Sequence, residues 1–367
     1  MMKVLSVFGT RPEAIKMAPV VKALAEAPNI NSRICVTAQH REMLDQVLRL
    51  FAIEPDYDLD LMRHQQTIGD ITAEVLQELI PIIEHERPEL LLVHGDTTTT
   101  FAAALAAYYT HTRIGHVEAG LRTSDKYAPY PEEMNRRLTG ALADLHFAPT
   151  LIAANNLRME NVPDERIHIT GNTVIDALLD TVEKPCELAE YGLGAIDWSR
   201  RVLLLTCHRR ENWGEPMQQI FAAVKRVLEE HPDIELVFPW HKNPLVRDTA
   251  LLYLGESERI HYVEPLDYLP FCHVMRRCHL ALTDSGGLQE EAPALGKPVL
   301  VLREVTERPE AIDAGTAALA GVGFDSVYAA ATRLLDDEAA YRQMAQAINP
   351  YGDGRAARRI VDIIGAI

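Results

Sequence analysis

The chain is predicted to be an α/β protein with two doubly wound, mostly parallel sheets, and three observations predict it. Short apolar runs alternate with helical stretches along the whole sequence. Glycine- and proline-containing turns bound those runs. A length of 367 residues gives two cores rather than one. Strands that alternate with helices are covered on both faces, which requires a parallel sheet. The alternation pauses after residue 170 and restarts at Arg201. The expected domains are therefore residues 1–170 and 171–354, hinged near 170 and facing each other across a cleft, with a last helix (355–367) crossing back to the first.

Taken in order, residues 3–8 (K-V-L-S-V-F) form the first strand and Gly9-Thr10-Arg11-Pro12-Glu13 the turn after it. A helix follows from Pro12, a residue whose fixed φ suits a first helical position. Residues 33–37 are a second strand, followed by helical 39–50, a polar loop and a longer helix over 67–86. Residues 89–93 are a third strand, ending in His94-Gly95-Asp96 and four threonines before an alanine-rich helix. Residues 114–117 form a fourth strand, ending in Glu118-Ala119-Gly120-Leu121-Arg122. An irregular stretch over 126–133 opens another helix, and 146–148 and 167–169 are short strands. Gly171-Asn172-Thr173 starts a linking helix. In the second half the strands are 201–205, 235–238, 260–263, 279–282 and 298–302. Between the last two, Asp284-Ser285-Gly286-Gly287 turns into a short helical segment through Leu295.

Net charge is −17 and the isoelectric point about 5.3, which argues against nucleic-acid binding and against an anionic membrane surface. No apolar run has membrane-spanning length, and the first residues enter a strand without a signal-peptide layout. Cys35, Cys186, Cys207, Cys272 and Cys278 are odd in number with no C-x-x-C pair, which reads as reduced thiols in a cytoplasmic protein. Cys272-His273 and Cys278-His279 read as small buried residues along a helix rather than ligands, so no metal is expected. The turn at 9–13 matches neither G-x-G-x-x-G nor G-x-x-x-x-G-K-[ST], so neither a nicotinamide cofactor nor ATP is indicated.

Ligands of open parallel sheets bind beyond the carboxyl ends of the strands. Arg11, Asp96, Glu118, His208 and Ser285 each follow an apolar strand directly. Two glycines at a strand-to-helix turn let backbone approach a ligand, and a helix N-terminus favours an anion. Glu290 and Glu291, placed in the first turn or so of that helix, offer acceptors for sugar hydroxyls or are ordinary acids at a helix start. Arg11 and Lys16 suit phosphate or carboxylate. His208-Arg209-Arg210 reads as a diphosphate clamp, or else as a charged surface loop. Asp96 is a cleft carboxylate or a helix cap. Glu132 is a third carboxylate or a first-turn acid, whereas Glu118 before Ala-Gly fits no cap pattern. Three carboxylates beside an anion site suggest proton transfer next to a phosphorylated leaving group.

Several motifs occur together in order: Gly9-Thr-Arg-Pro-Glu-Ala-Ile-Lys16, His94-Gly-Asp-Thr-Thr-Thr-Thr100, His116-Val-Glu-Ala-Gly-Leu-Arg122 and Gly171-Asn-Thr-Val-Ile-Asp176 in the first half. The second half has Thr206-Cys-His-Arg-Arg-Glu-Asn212, Asp284-Ser-Gly-Gly-Leu-Gln-Glu-Glu-Ala-Pro293, Thr306-Glu-Arg-Pro-Glu310 and Asn349-Pro-Tyr-Gly-Asp-Gly354. The set resembles the non-hydrolysing UDP-N-acetylglucosamine 2-epimerases of bacteria, from residue 3 nearly to the end. The resemblance implies a GT-B fold, a homodimer, no NAD, and interconversion of UDP-GlcNAc and UDP-ManNAc through 2-acetamidoglucal, for surface polysaccharide synthesis. It implies that Asp96, Glu118 and Glu132 move protons and that His208 supports the diphosphate. Arg11, Lys16, Ser285, Gly286, Gly287 and Arg308 would surround diphosphate and uridine, Glu291 the ribose, and Leu266 and Phe271 the uracil. It further implies a second UDP-GlcNAc as an allosteric activator near Gln39 and His241. Glu42 and Gln65 stand where some regulated members have Gln and Arg, and Trp240 is unusual before His241. The rival readings are a GT-B glycosyltransferase, a hydrolysing epimerase that releases ManNAc, and a non-catalytic nucleotide-sugar sensor.

Overall fold

The computed structural model describes every residue except 39, 40, 62, 64, 65 and 124. The chain divides into two compact units, Met1–Ala177 with Tyr351–Ile367, and Leu178–Pro350. The division falls inside the helix Thr173–Val182.

The first unit holds strands β1 (Met2–Phe8), β2 (Ile30–Val36), β3 (Tyr57–Asp58), β4 (Leu90–His94), β5 (Arg113–Val117), β6 (Leu145–Ala148) and β7 (Ile167–Ile169) in the order β3-β2-β1-β4-β5-β6-β7. The second holds β8 (Arg201–Thr206), β9 (Ile234–Pro239), β10 (Ile260–Val263), β11 (Leu280–Thr283), β12 (Val299–Val301) and β13 (Ala317–Leu319) in the order β10-β9-β8-β11-β12-β13. Neighbouring strands are parallel throughout both sheets. β3 and β13 were not expected. Two or three residues carry no readable alternation, and each lies at a sheet edge with a single neighbour.

The central strands are unbroken apolar runs because helices cover both their faces: all five residues of β4 and all four of β11 are buried. Val93 and Leu91 pack with Ala102, Ala103, Ala106 and Ala107 of the helix Thr98–Tyr109, whose small side chains let it lie close to the sheet. In the second unit Leu203, Leu205, Phe221, Phe238 and Leu282 form the corresponding core. Each large apolar side chain buried this way contributes on the order of 2 kcal/mol.

In each sheet the chain reverses direction between the first strand and the fourth, at β1/β4 and at β8/β11. Helices leave such a pair on opposite faces, so a crevice opens beyond the strand ends at that point. The last residues join the first unit by hydrogen bonds. Asn172 N–H donates to Tyr351 O at 2.7 Å, and Asp176 accepts the N–H groups of Ala356 and Ala357, capping the helix Ala356–Gly365. Gly171 (φ +90°) and Gly352 (φ +137°) meet there, and a Cβ on Gly171 would stand 3.4 Å from the Gly352 Cα.

Candidate active site

In the first unit the loops after β1, β4 and β5 carry the candidate residues. Thr10 caps the helix Arg11–Glu26, and the carboxylate of Glu13 accepts the N–H groups of Gly9 (2.9 Å) and Thr10 (2.7 Å), a complete capping box. Arg11 is the first helical residue, half-buried, with no ion pair among the described residues. Asp96 is not the cap of the next helix, because Thr97 fills that position. Its side chain is instead ion-paired with Arg136 at 2.5 Å, while its carbonyl accepts from Asn135 Nδ2 at 3.0 Å.

Glu118 follows β5 with φ +61°, a left-handed conformation sparsely used by residues with a Cβ. The fold sustains it through close contacts. Gly120, two residues on, lies so near the helix Leu151–Met159 that a Cβ would come within 2.2 Å of Ala153 O. The buried Glu118 carboxylate accepts from Lys16 Nζ at 2.5 Å and from Asn172 Nδ2 at 3.0 Å. His94 Nε2 lies 3.3 Å from its other oxygen, outside hydrogen-bond geometry. Burial pushes the His94 imidazole down to about 4, so it is neutral near pH 7. His116 is held down to about 3 by burial, although its Nε2 sits 2.7 Å from Gly95 O.

Glu132 opens the helix Glu132–Leu142, and its side chain makes no hydrogen bond or ion pair among the described residues. Its neighbour Glu133 is fully buried and accepts from Thr123 N–H, Arg136 and Arg137. Arg136 thereby ties the Asp96 loop to the helix that starts at Glu132.

In the second unit the loops after β8 and β11 are joined by Asp284, which is completely buried. One of its oxygens accepts the N–H groups of His208 (2.7 Å) and Arg209 (2.8 Å) and the side chain of Asn212 (3.2 Å). His208 Nδ1 lies 3.3 Å from the other oxygen, and the ring stacks on His241 at 5.8 Å and 11°. Of the two arginines that follow His208, Arg209 faces the glycine turn, while Arg210 lies over the Trp213 ring. A Cβ on Gly286 would be 3.9 Å from the guanidinium groups of both Arg209 and Arg308. Ser285 precedes the helix Gly286–Glu291, and its side chain makes no cap bond.

Glu290 and Glu291 fall at the fifth and sixth positions of that helix, past its first turn, and both are buried. Glu290 is ion-paired with Arg308, and Glu291 accepts from the Tyr268 hydroxyl at 2.9 Å. Burial first, then the Glu291 charge, raises the Tyr268 phenol well above its ordinary value. Gly287 lies close beside Glu291. Leu266 and Phe271 are half-buried, in the loop after β10 and in the helix Tyr268–Arg277. Trp240 stacks on Tyr262 at 4.6 Å under the Arg247 guanidinium, and His241 beside it is exposed. Gln39 and Gln65 lie outside the described residues. No group of three potential metal ligands occurs among the described residues, and none of their helices is long and apolar enough to cross a membrane.

The first unit thus brings together Lys16 and Glu118, and sets Asp96 and Glu132 on elements joined by Arg136. The second brings together His208, Ser285, Gly286 and Arg308. Sequence reasoning missed Glu13, Asn172, Glu133, Arg136 and Asp284 as partners. Thr10-x-x-Glu13 is a readable capping box, and Asp284 directly follows a strand, as Asp96 follows one by two residues.

The architecture and the motifs recur in known proteins. Residues 22–365 match the family model described as UDP-N-acetylglucosamine 2-epimerase. The UDP-N-acetylglucosamine 2-epimerase of Bacillus subtilis is 53% identical over 363 residues, covering 98% of this chain and 94% of its own. The crystal structure of UDP-GlcNAc 2-epimerase from Neisseria meningitidis bound to UDP-GlcNAc is 48% identical, covers 100% of both chains and superposes with a TM-score of 0.88. The Methanocaldococcus jannaschii enzyme in complex with UDP-GlcNAc and UDP is 33% identical, again over 100% of both chains, with a TM-score of 0.80. The two parallel-sheet units are of the GT-B class. With near-complete coverage at such identity, the chain belongs to the UDP-N-acetylglucosamine 2-epimerase family.

Proposed function

We propose that this chain interconverts UDP-GlcNAc and UDP-ManNAc, without hydrolysis, by anti elimination of UDP and re-addition. The observation that carries the reading is the division of chemistry between the units. The first sets three carboxylates at strand ends and a helix start, with Glu118 buried against Lys16. The second sets Arg209 and Arg308 over a Ser-Gly-Gly turn. The N-terminus of the helix Arg11–Glu26 is already capped by Thr10 and Glu13, so the second unit is better suited to a diphosphate.

In the forward direction a carboxylate takes the C2 proton as the C1–O bond breaks, and UDP leaves with the electron pair. The product is 2-acetamidoglucal. The diphosphate oxygen then adds back to C1, and a second carboxylate delivers a proton to the opposite face of C2. The C2 hydrogen is weakly acidic, so base and leaving group must be held in register. Inversion requires donors on two faces, which one carboxylate does not supply. Asp96, Glu118 and Glu132 fill these roles. His208, oriented by Asp284, together with Arg11, Lys16, Ser285, Gly286, Gly287 and Arg308, holds the diphosphate as it gains charge. Glu291 accepts from ribose hydroxyls, and Leu266 and Phe271 flank the uracil. The elimination is redox-neutral and uses no NAD.

The chain acts as a homodimer, and its product feeds surface polysaccharide synthesis. A second UDP-GlcNAc at His241 would be felt by His208 through their stacked rings. The test is incubation of purified protein with UDP-GlcNAc alone, followed by separation of the nucleotide sugars. UDP-ManNAc supports the reading. Free ManNAc with UDP would assign a hydrolysing enzyme, and binding without product a transferase or a sensor.

A further inference from the structure

We propose that Glu13 is a positioning residue for this reaction, a buried carboxylate that fixes the Asp96 loop against the turn bearing Arg11. The inference rests on the function proposed above.

Glu13 is 3% exposed. One of its oxygens completes the capping box by accepting the N–H groups of Gly9 and Thr10. That alone satisfies the helix start. The other oxygen reaches across the sheet to the β4 loop, where it accepts from the Thr97 hydroxyl at 2.6 Å. The Thr100 hydroxyl lies 3.0 Å from the same oxygen and 2.5 Å from His94 O. Neither hydroxyl is needed by a capping box, and both come from more than eighty residues away in sequence.

Thr97 follows Asp96 directly and caps the helix Thr98–Tyr109, so Glu13 stands at the positive ends of two helices at once. This placement stabilises a buried carboxylate that has no cationic partner among the described residues. The turn has no room to retreat: a Cβ on Gly9 would come within 1.9 Å of Thr37 Oγ1 and 3.1 Å of Thr99 Oγ1. Asp96 is therefore held on one side by Arg136 and Asn135 and on the other by the Thr97–Glu13 bond. Glu13 acts only through its neighbours. Displacing a reacting carboxylate by about 1 Å costs on the order of a hundredfold in rate.

The test compares T97V, T97S, E13Q and the double variant E13Q/T97V in kcat, KM for UDP-GlcNAc, UDP affinity and Tm. T97V should lower kcat about tenfold or more, with KM and UDP affinity within about twofold, and T97S, which keeps the hydroxyl, should recover most of the loss. E13Q should resemble T97V, and the double variant should be little worse than the poorer single. A kcat within about twofold of wild type in T97V and E13Q, whatever the Tm, would reduce Glu13 to a helix cap and overturn the proposal. Multiplying losses in the double variant would overturn it as well. If E13Q does not fold, the T97V/T97S pair decides. An inactive wild-type protein would overturn the proposed function and this inference together, whereas an active wild type with unaffected variants overturns this inference alone.

Discussion

Asn172 Nδ2 donates to the Glu118 carboxylate at 3.0 Å, tying the start of the linking segment to the end of β5. The same residue accepts the Val174 N–H on its side-chain oxygen and donates its own N–H to Tyr351 O. A single asparagine thus joins a candidate catalytic carboxylate, the helix Thr173–Val182 and the returning C-terminal segment. Removing it with N172A should lower kcat by roughly tenfold, the worth of one hydrogen bond to a charged group, with UDP binding preserved. E118Q should abolish turnover while UDP affinity stays within about twofold, since the carboxylate is assigned to proton transfer. Loss of UDP binding in E118Q, measured by calorimetry, would count against that assignment.

Asp284 sits at the equivalent switch point of the second unit and has a different task. One oxygen of its carboxylate holds two successive backbone N–H groups and the Asn212 amide, so D284A, which removes that acceptor, leaves all three donors without it. The expected result is a UDP Kd raised about tenfold or more and a stability loss of about 2 kcal/mol. Both are read by titration and urea unfolding. An unchanged Kd would show that the loop after β8 does not need this anchor.

Gly120 illustrates a requirement that is purely steric. G120A would place a methyl group 2.2 Å from Ala153 O at φ +89°. A loss of roughly 2–4 kcal/mol and a Tm lowered by several degrees should follow. A wild-type melting curve would contradict the close approach of the helix Leu151–Met159 to the end of β5.

Burial of histidines sets the response to acid. His94, His116 and His146 are held down to about 4, 3 and 4, chiefly by desolvation. Each is neutral when folded and binds a proton on unfolding below about pH 6.5. The unfolded chain therefore binds more protons between pH 6.5 and 4. Stability from this source is present above pH 6.5 and is lost as pH falls through that window, by on the order of 1 kcal/mol per pH unit for each group. Urea unfolding at pH 7.5, 6.0 and 5.0 should show the decline, and a flat profile would contradict it.

The parallel sheets were legible because their central strands are continuous apolar runs followed at once by polar turns. The edges were not. Tyr57–Asp58 and Ala317–Leu319 become strands only because a neighbour supplies a ladder. Candidate side chains at strand ends stood out by position, but their partners did not. Arg136 and Glu133 look like ordinary helix charges until the fold brings Asp96 beside them. The cap reading of Asp96 stayed open beside the cleft-carboxylate reading because a string of threonines hides which residue fills the cap, and Thr97 fills it. The left-handed backbone of Glu118 has no signature in a non-glycine residue.

The central claim is that the C2 proton is removed and returned on either face without redox chemistry. Proton NMR of the purified protein with UDP-GlcNAc in D2O, with no NAD added, tests it most directly. The account predicts UDP-ManNAc with deuterium at C2 of both epimers. Epimerisation that retains protium at C2, or an unchanged spectrum despite binding, would contradict it.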